Sequence, residues 1–232
     1  KQEYKREGFE LFRAMLFKDR REAGERLAEA LVDWQTSAPV VVALPRGGVD
    51  VALPVALRLK APMTLLLVRK IGLPSQPELA MGAIVDGDAP VTVRNDGVIT
   101  MARVDDAQFD AVARRELDEI HRRSQLYFRG REAIAVEGRV AIIVDDGMAT
   151  GATVRAAVRG LRARKPSRVI LAVPVASQEA MSLLTPEVDQ IVVLEEMSAL
   201  GAIGFSYEAF PQLTDSDVLA ALEAAEKALK AG

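Results

Sequence analysis

Two adjacent carboxylates, Asp145 and Asp146, stand directly after the apolar run Val140-Ala141-Ile142-Ile143-Val144. They lead into Gly147-Met148-Ala149-Thr150-Gly151-Ala152-Thr153, a string of small residues and hydroxyls that opens a helical pattern. Each part has a chemical use. A helix N-terminus presents unpaired N–H groups and the positive end of a dipole, which together hold a phosphate. Gly151 and the alanines let the backbone come close to such a group, and Thr150 and Thr153 add hydroxyl donors. A carboxylate pair at the rim suits vicinal sugar hydroxyls, or Mg²⁺ held through water. An acidic strand end or a Thr-capped helix is ordinary by itself. The complete string in a strand–loop–helix setting is not, and both carboxylates are expected at an exposed strand end.

Other phosphate-binding patterns do not fit. Gly147 and Gly151 lack the Lys-Ser/Thr of a P-loop. Gly201 and Gly204 come too late and open no helix, so they are not a dinucleotide fingerprint. Two shorter phrases also carry charge next to apolar runs. Pro45-Arg46-Gly47-Gly48 follows Val40–Leu44, and Arg69-Lys70 follows Met63–Val68.

Composition limits what else the chain can do. Its 232 residues hold 30 Lys+Arg against 33 Asp+Glu, a formal net charge of −3, with no cysteine and a single histidine, His121. Disulfides and thiolate sites are excluded, as is a zinc site built from several imidazoles. His121 lies beside Arg122 and Arg123 on a charged helical stretch, where a surface position is expected. The net charge argues against a dedicated nucleic-acid partner, and the basic run Arg122, Arg123, Arg129 and Arg131 is read as a solvated face. No apolar run is long enough for a bilayer, and no secretory leader is evident after Lys1. The expected location is therefore cytoplasmic, with no membrane partner.

The elements that must position these groups alternate. Apolar residues between Asp19 and Trp34 recur at helical spacing, and so do those in Val49–Leu59. The valine-rich run at 38–44 and the short apolar runs at 63–68, 139–144, 168–175 and 190–194 read as buried strands. Helices are expected at 105–127, 152–164, after Ser177, and at 218–230 behind a Thr214/Asp217 capping box. Strand and helix alternating in this way imply an α/β fold, a parallel twisted sheet with helices on both faces, and ligands at the carboxyl ends of its strands. Residues 70–104, with Pro74, Pro77 and Pro90 and four glycines, read as a flexible excursion with hairpin-like strands. Residues 1–14 are expected to be an N-terminal extension. A single domain is expected over 15–232, with an inserted loop and helix region at 70–135 and a small hood at 197–212.

The string from Asp145 to Thr153 resembles the 5-phosphoribosyl 1-diphosphate (PRPP) binding motif of type I phosphoribosyltransferases. Pro45-Arg46-Gly47-Gly48 resembles that family's pyrophosphate loop, and Arg69-Lys70 the basic start of its flexible loop. The span from Phe17 to Val218 is similar to a bacterial subgroup that also carries the phrase DR-x-x-AG, here Asp19, Arg20, Ala23 and Gly24.

The resemblance implies an Mg²⁺-dependent phosphoribosyltransferase of nucleotide salvage and nucleoside metabolism. Asp145 and Asp146 would hold the ribose hydroxyls and help orient Mg²⁺. Ala149, Thr150, Gly151, Ala152 and Thr153 would cradle the 5′-phosphate. Arg46, Gly47 and Gly48 would face the pyrophosphate, with the Pro45–Arg46 peptide cis, and Lys70 with Arg69 would screen its charge. The catalytic set is then Asp145, Asp146, Arg46 and Lys70. PRPP and a nucleobase-like molecule are the implied partners, and a homodimer is the expected assembly.

The acceptor is less defined. The family's 6-oxopurine enzymes carry an aspartate where this chain has Ala149, so the resemblance points towards the adenine and uracil type. Met148, Phe205 and Tyr207 are the candidate base contacts, and Phe205 with Tyr207 equally fits an edge strand packed under the last helix. Which residue serves as general base stays open. So does a regulator that senses PRPP or a nucleotide on the same fold, and so does the direction of transfer.

Overall fold

The computed structural model describes residues 17–77, 79–87, 90–131, 134–197 and 202–231, so the expected extension at 1–14 lies outside the described residues. Helix α1 (Arg20–Ala30) starts where the Asp19 carboxylate accepts the Glu22 N–H at 2.9 Å. A 3-10 turn (Val32–Ser37) then leads into β1 (Val40–Ala43). Helix α2 (Gly48–Leu59) and the short strand β2 (Met63–Leu65) follow. The next segment runs through β3 (Val68–Gly72), β4 (Ala80–Val85), β5 (Val91–Arg94), α3 (Asp96–Ala102) and α4 (Asp106–Phe128). The remainder is β6 (Val140–Val144), α5 (Ala152–Ala163), β7 (Arg168–Ala176), α6 (Gln178–Leu184), β8 (Gln190–Glu196) and α7 (Asp215–Ala231).

Five strands form a parallel sheet in the order β2-β1-β6-β7-β8, with Val41 opposite Met63 on one side and Ile142 on the other. Strand side chains alternate between faces, so each strand supplies two cores. Val41, Ala43, Ile142 and Ile170 face α1, α2 and α7, where Leu27, Val55 and Leu222 meet them. Val40, Val42, Ile143 and Leu171 face α5 and α6, with Val154, Leu161 and Leu184. Both faces are covered, which is why the strands read as unbroken apolar runs.

Residues 70–104 fold into more order than their proline and glycine content indicates. Strands β3, β4 and β5 make a separate antiparallel sheet, with Lys70 opposite Ala83 and Ala83 opposite Val93. Its Ile71 and Met81 join the main core together with Phe109 and Ile120 of α4. The Asp86 carboxylate receives Arg164 at 2.9 Å and the Leu67 N–H at 3.2 Å, tying this sheet to the end of α5.

Three expected boundaries shift. The second strand ends at Leu65, and Arg69 and Lys70 lie within β3 instead of in a loop. The first helix stops at Ala30, ahead of the weak helix formers Val32, Thr36 and Ser37. The last helix starts at Asp215, capped by the reciprocal Thr214 and Asp217 bonds that the spacing predicts. His121 is exposed on α4, as expected.

Candidate active site

The carboxyl ends of β1 and β6 lie side by side, with the Leu44 N–H donating to the Val144 carbonyl at 2.9 Å. That pairing brings the Pro45–Gly48 turn against Asp145 and Asp146. The Pro45–Arg46 peptide is cis. Gly47 is packed so tightly that a Cβ there would stand 1.9 Å from Asp146 Oδ2, and one on Gly48 would lie 2.7 Å from the Val144 carbonyl oxygen.

Neither carboxylate is freely exposed. Both are part-buried, and only 14% of the Asp146 side chain remains accessible. The Asp146 N–H donates to Asp145 Oδ1 at 2.9 Å, and Arg20 Nε donates to Asp146 Oδ2 at 2.8 Å. Burial and the adjoining Asp146 charge push Asp145 well above the usual carboxylate range. Burial also raises Asp146, opposed by Arg20.

Helices α2 and α5 both begin at a glycine with no capping side chain, whereas Asp19, Asn95, Asp105 and Ser177 cap α1, α3, α4 and α6. The first turn of α5 has no acidic residue, and its N-cap Gly151 has φ +71°, a conformation that side chains disfavour. The preceding loop is stitched to β7. The Met148 N–H donates to the Val175 carbonyl, the Ser177 N–H to the Met148 carbonyl, and Ser177 Oγ to the Ala149 carbonyl. Thr150, Ala152 and Thr153 remain at least partly exposed around this helix start.

The basic residues divide. Arg46 Nη1 stands 3.8 Å from Asp215, whose carboxylate also accepts the Tyr127 hydroxyl at 2.5 Å. Arg69 pairs with Glu116 of α4 at 2.7 Å. Lys70 is exposed and lines, with Thr153, Arg94, Arg155 and Arg159, a cavity of about 380 Å³ between the antiparallel sheet and α5.

At the hood, residues 198–201 lie outside the described residues. From Ala202 onward the chain returns to the site. Ile203 packs where a Cβ of Gly147 would be, 2.6 Å from its Cγ2. Phe17 pairs with the hood through the Phe17 N–H to the Ser206 carbonyl and the Glu208 N–H to the Phe17 carbonyl, both 2.8 Å. Of the three expected base contacts, Phe205 is 69% exposed while Met148 and Tyr207 are buried. The Tyr207 ring stacks on Phe210 with centroids 4.9 Å apart and meets Phe17 at 5.5 Å, so its faces are already used. Its hydroxyl donates to the Asp146 carbonyl at 2.5 Å. The Met148 side chain belongs to the core beside α5 and α6.

Sequence reasoning did not assign a role to Arg20, although the DR-x-x-AG phrase contains it. The available signal was an arginine at the start of an amphipathic helix, followed four residues later by glycine.

Comparison with known proteins identifies the family. The phosphoribosyl transferase domain family model matches residues 17–207. Proteins from two strains of Mycobacterium tuberculosis, each named "Putative phosphoribosyl transferase", are 44% identical over 212 residues, covering 91% of this chain and 47% of each relative. The chain thus spans about half the length of the curated relatives it matches. The crystal structure of TT1426 from Thermus thermophilus is 41% identical, with a TM-score of 0.77 over 90% of this chain and 98% of that one. With the family model matching most of its length, the chain belongs to the phosphoribosyl transferase domain family.

Proposed function

We propose that this chain transfers the 5-phosphoribosyl group of PRPP to a nitrogen acceptor, a nucleobase-like molecule, with release of pyrophosphate. The observation that carries the reading is the convergence, at the carboxyl ends of β1 and β6, of Asp145–Asp146 with the starts of α2 and α5, neither of which has a side-chain cap.

In the reaction the acceptor nitrogen bonds to the anomeric carbon as the carbon–oxygen bond to pyrophosphate breaks, its electron pair leaving with the pyrophosphate, and the acceptor N–H proton passes to water or to the departing pyrophosphate. Positive charge develops on the ribose and negative charge on the leaving group. Preorganised dipoles and fixed positions are what such a step needs, and no covalent nucleophile is required. The start of α5, with Thr150 and Thr153, would anchor the 5′-phosphate. Asp145 and Asp146 would hold the ribose hydroxyls. The Arg46–Gly47 backbone would receive the pyrophosphate, since the Gly48 N–H is already donated to the Leu44 carbonyl at 3.1 Å. Lys70 would add positive field, while Arg69 is held by Glu116. Phe205 takes the acceptor-stacking role in place of the buried Tyr207 and Met148.

The donor set fits Mg²⁺. Asp145 and Asp146 offer hard oxygen ligands, and among the described residues no group of three or more metal-ligating side chains gathers. Substrate phosphates and water would therefore complete the shell, as is usual for this ion. When bound, Mg²⁺ supplies charge neutralisation on the pyrophosphate.

Among the described residues no helix is long and apolar enough to cross a membrane. The test is pyrophosphate release from PRPP and Mg²⁺ across a panel of nucleobases. Release with one base supports the reading. PRPP binding without release for any acceptor would make the chain a sensor.

A further inference from the structure

Arg20 is 6% exposed, a guanidinium taken almost wholly out of water. Burying a charge is costly unless its partners are well placed. Arg20 has three. Its Nε donates to Asp146 Oδ2 at 2.8 Å, and its Nη1 to the Pro211 carbonyl at 2.7 Å. Its plane covers the Phe210 ring, Cζ lying 3.7 Å from the centroid. A planar fork can serve a carboxylate, a carbonyl and a ring at once, which an ammonium cannot.

The backbone places it there. A Cβ on Gly24 would lie 2.5 Å from the Val51 carbonyl oxygen, so α1 rests directly on α2 and holds Arg20 at the β6 end. The second end of Asp146 is held too. Tyr207 donates to its carbonyl, and the Tyr207 ring stacks on the same Phe210 that Arg20 covers. Asp146 is thus gripped at side chain and backbone by one connected cluster of Arg20, Tyr207, Phe210 and Pro211.

We propose that Arg20 is a positioning residue for the ribose. It fixes the Asp146 carboxylate by one oxygen, directs the other to the sugar, and links that orientation to the hood at 207–211. This inference rests on the phosphoribosyl reading above. A purely structural Arg20 would instead hold the hood in place, and its loss would affect every ligand of the site alike.

Titration calorimetry with two probes, PRPP with Mg²⁺ and inorganic pyrophosphate without it, separates these cases, because pyrophosphate alone does not draw on the Asp146 carboxylate. Pyrophosphate lacks the ribose hydroxyls. Arg20→Met is expected to weaken PRPP at least tenfold while pyrophosphate stays within twofold. Arg20→Lys, which keeps the charge but not the fork, is expected to fold and to recover only part of the PRPP affinity. Should Arg20→Met fail to fold, the PRPP-to-pyrophosphate ratio of Arg20→Lys decides. Equal weakening of both probes, or unchanged PRPP affinity, overturns the inference alone. Failure of the unsubstituted chain to bind PRPP overturns the phosphoribosyl reading and the inference with it.

Discussion

The Gly47 backbone lies against the Asp146 carboxylate so closely that a Cβ would stand 1.9 Å from Oδ2 and 2.6 Å from Cγ. The two residues come from different βα turns, and the space between them is the meeting point of the expected pyrophosphate and ribose subsites. Because Arg20 holds the same oxygen from the other side, the carboxylate cannot yield without breaking a buried pair. Gly47→Ala is expected to weaken PRPP at least tenfold. Gly48→Ala meets backbone instead, at the Val144 oxygen and Asp145 Cα, and is expected to cost about 1–3 kcal/mol of stability. Calorimetric titration and urea unfolding of the two variants check this contrast.

Phe205 and Tyr207 are expected to separate by function. Phe205→Ala removes an exposed ring worth roughly 0.5–1.5 kcal/mol of stacking, so acceptor KM should rise about two- to tenfold with PRPP affinity unchanged. Tyr207→Phe deletes the hydroxyl bond to the Asp146 carbonyl and should cost about 0.5–1.5 kcal/mol of stability. Steady-state kinetics with both substrates varied, together with denaturant midpoints, distinguishes the two.

Arg164 tests how the antiparallel sheet is held. Burial raises Asp86 above its ordinary carboxylate value, and Arg164 opposes that rise. A carboxyl whose value is raised on folding binds its proton more tightly in the folded state. Its contribution to stability therefore falls as pH climbs from the unfolded to the folded value, and stays reduced above. Arg164→Met raises Asp86 further and leaves its charge unpaired, a loss on the order of 2 kcal/mol near neutral pH. The loss should shrink in acid as Asp86 takes up its proton. Urea unfolding of both proteins at about pH 8 and about pH 5 measures this.

Much of this architecture is legible in the residues themselves. The runs ending at Leu44 and Val144 read as buried parallel strands because helices cover both sheet faces, leaving no polar alternation. Asp145-Asp146 and Gly151 stand where the βα turn requires them. What escapes is tertiary. Val68–Gly72 continues an apolar run already assigned to the sheet, and only pairing with Ala80–Val85 shows that the chain has changed sheets. Asn95 caps a short helix at Asp96–Ala102 whose seven residues leave no clear period. Phe205 and Tyr207 look equivalent in sequence. Packing of Tyr207 against Phe17 and Phe210 separates them, and Phe17 comes from the far end of the chain. Arg20 and Asp146 are 126 positions apart, and no local pattern can announce their pairing.

The central claim is that Asp145, at the meeting of two helix starts without side-chain caps, forms part of a PRPP site. Asp145→Asn tests it most directly. The amide keeps an oxygen for the Asp146 N–H, and Arg20 keeps its own partner. Titration of PRPP with Mg²⁺ into the unsubstituted chain should give saturable binding at one site per chain. Asp145→Asn should lose at least tenfold in affinity with its unfolding midpoint preserved. Equal PRPP affinity in the two proteins, or none in either, would contradict the account.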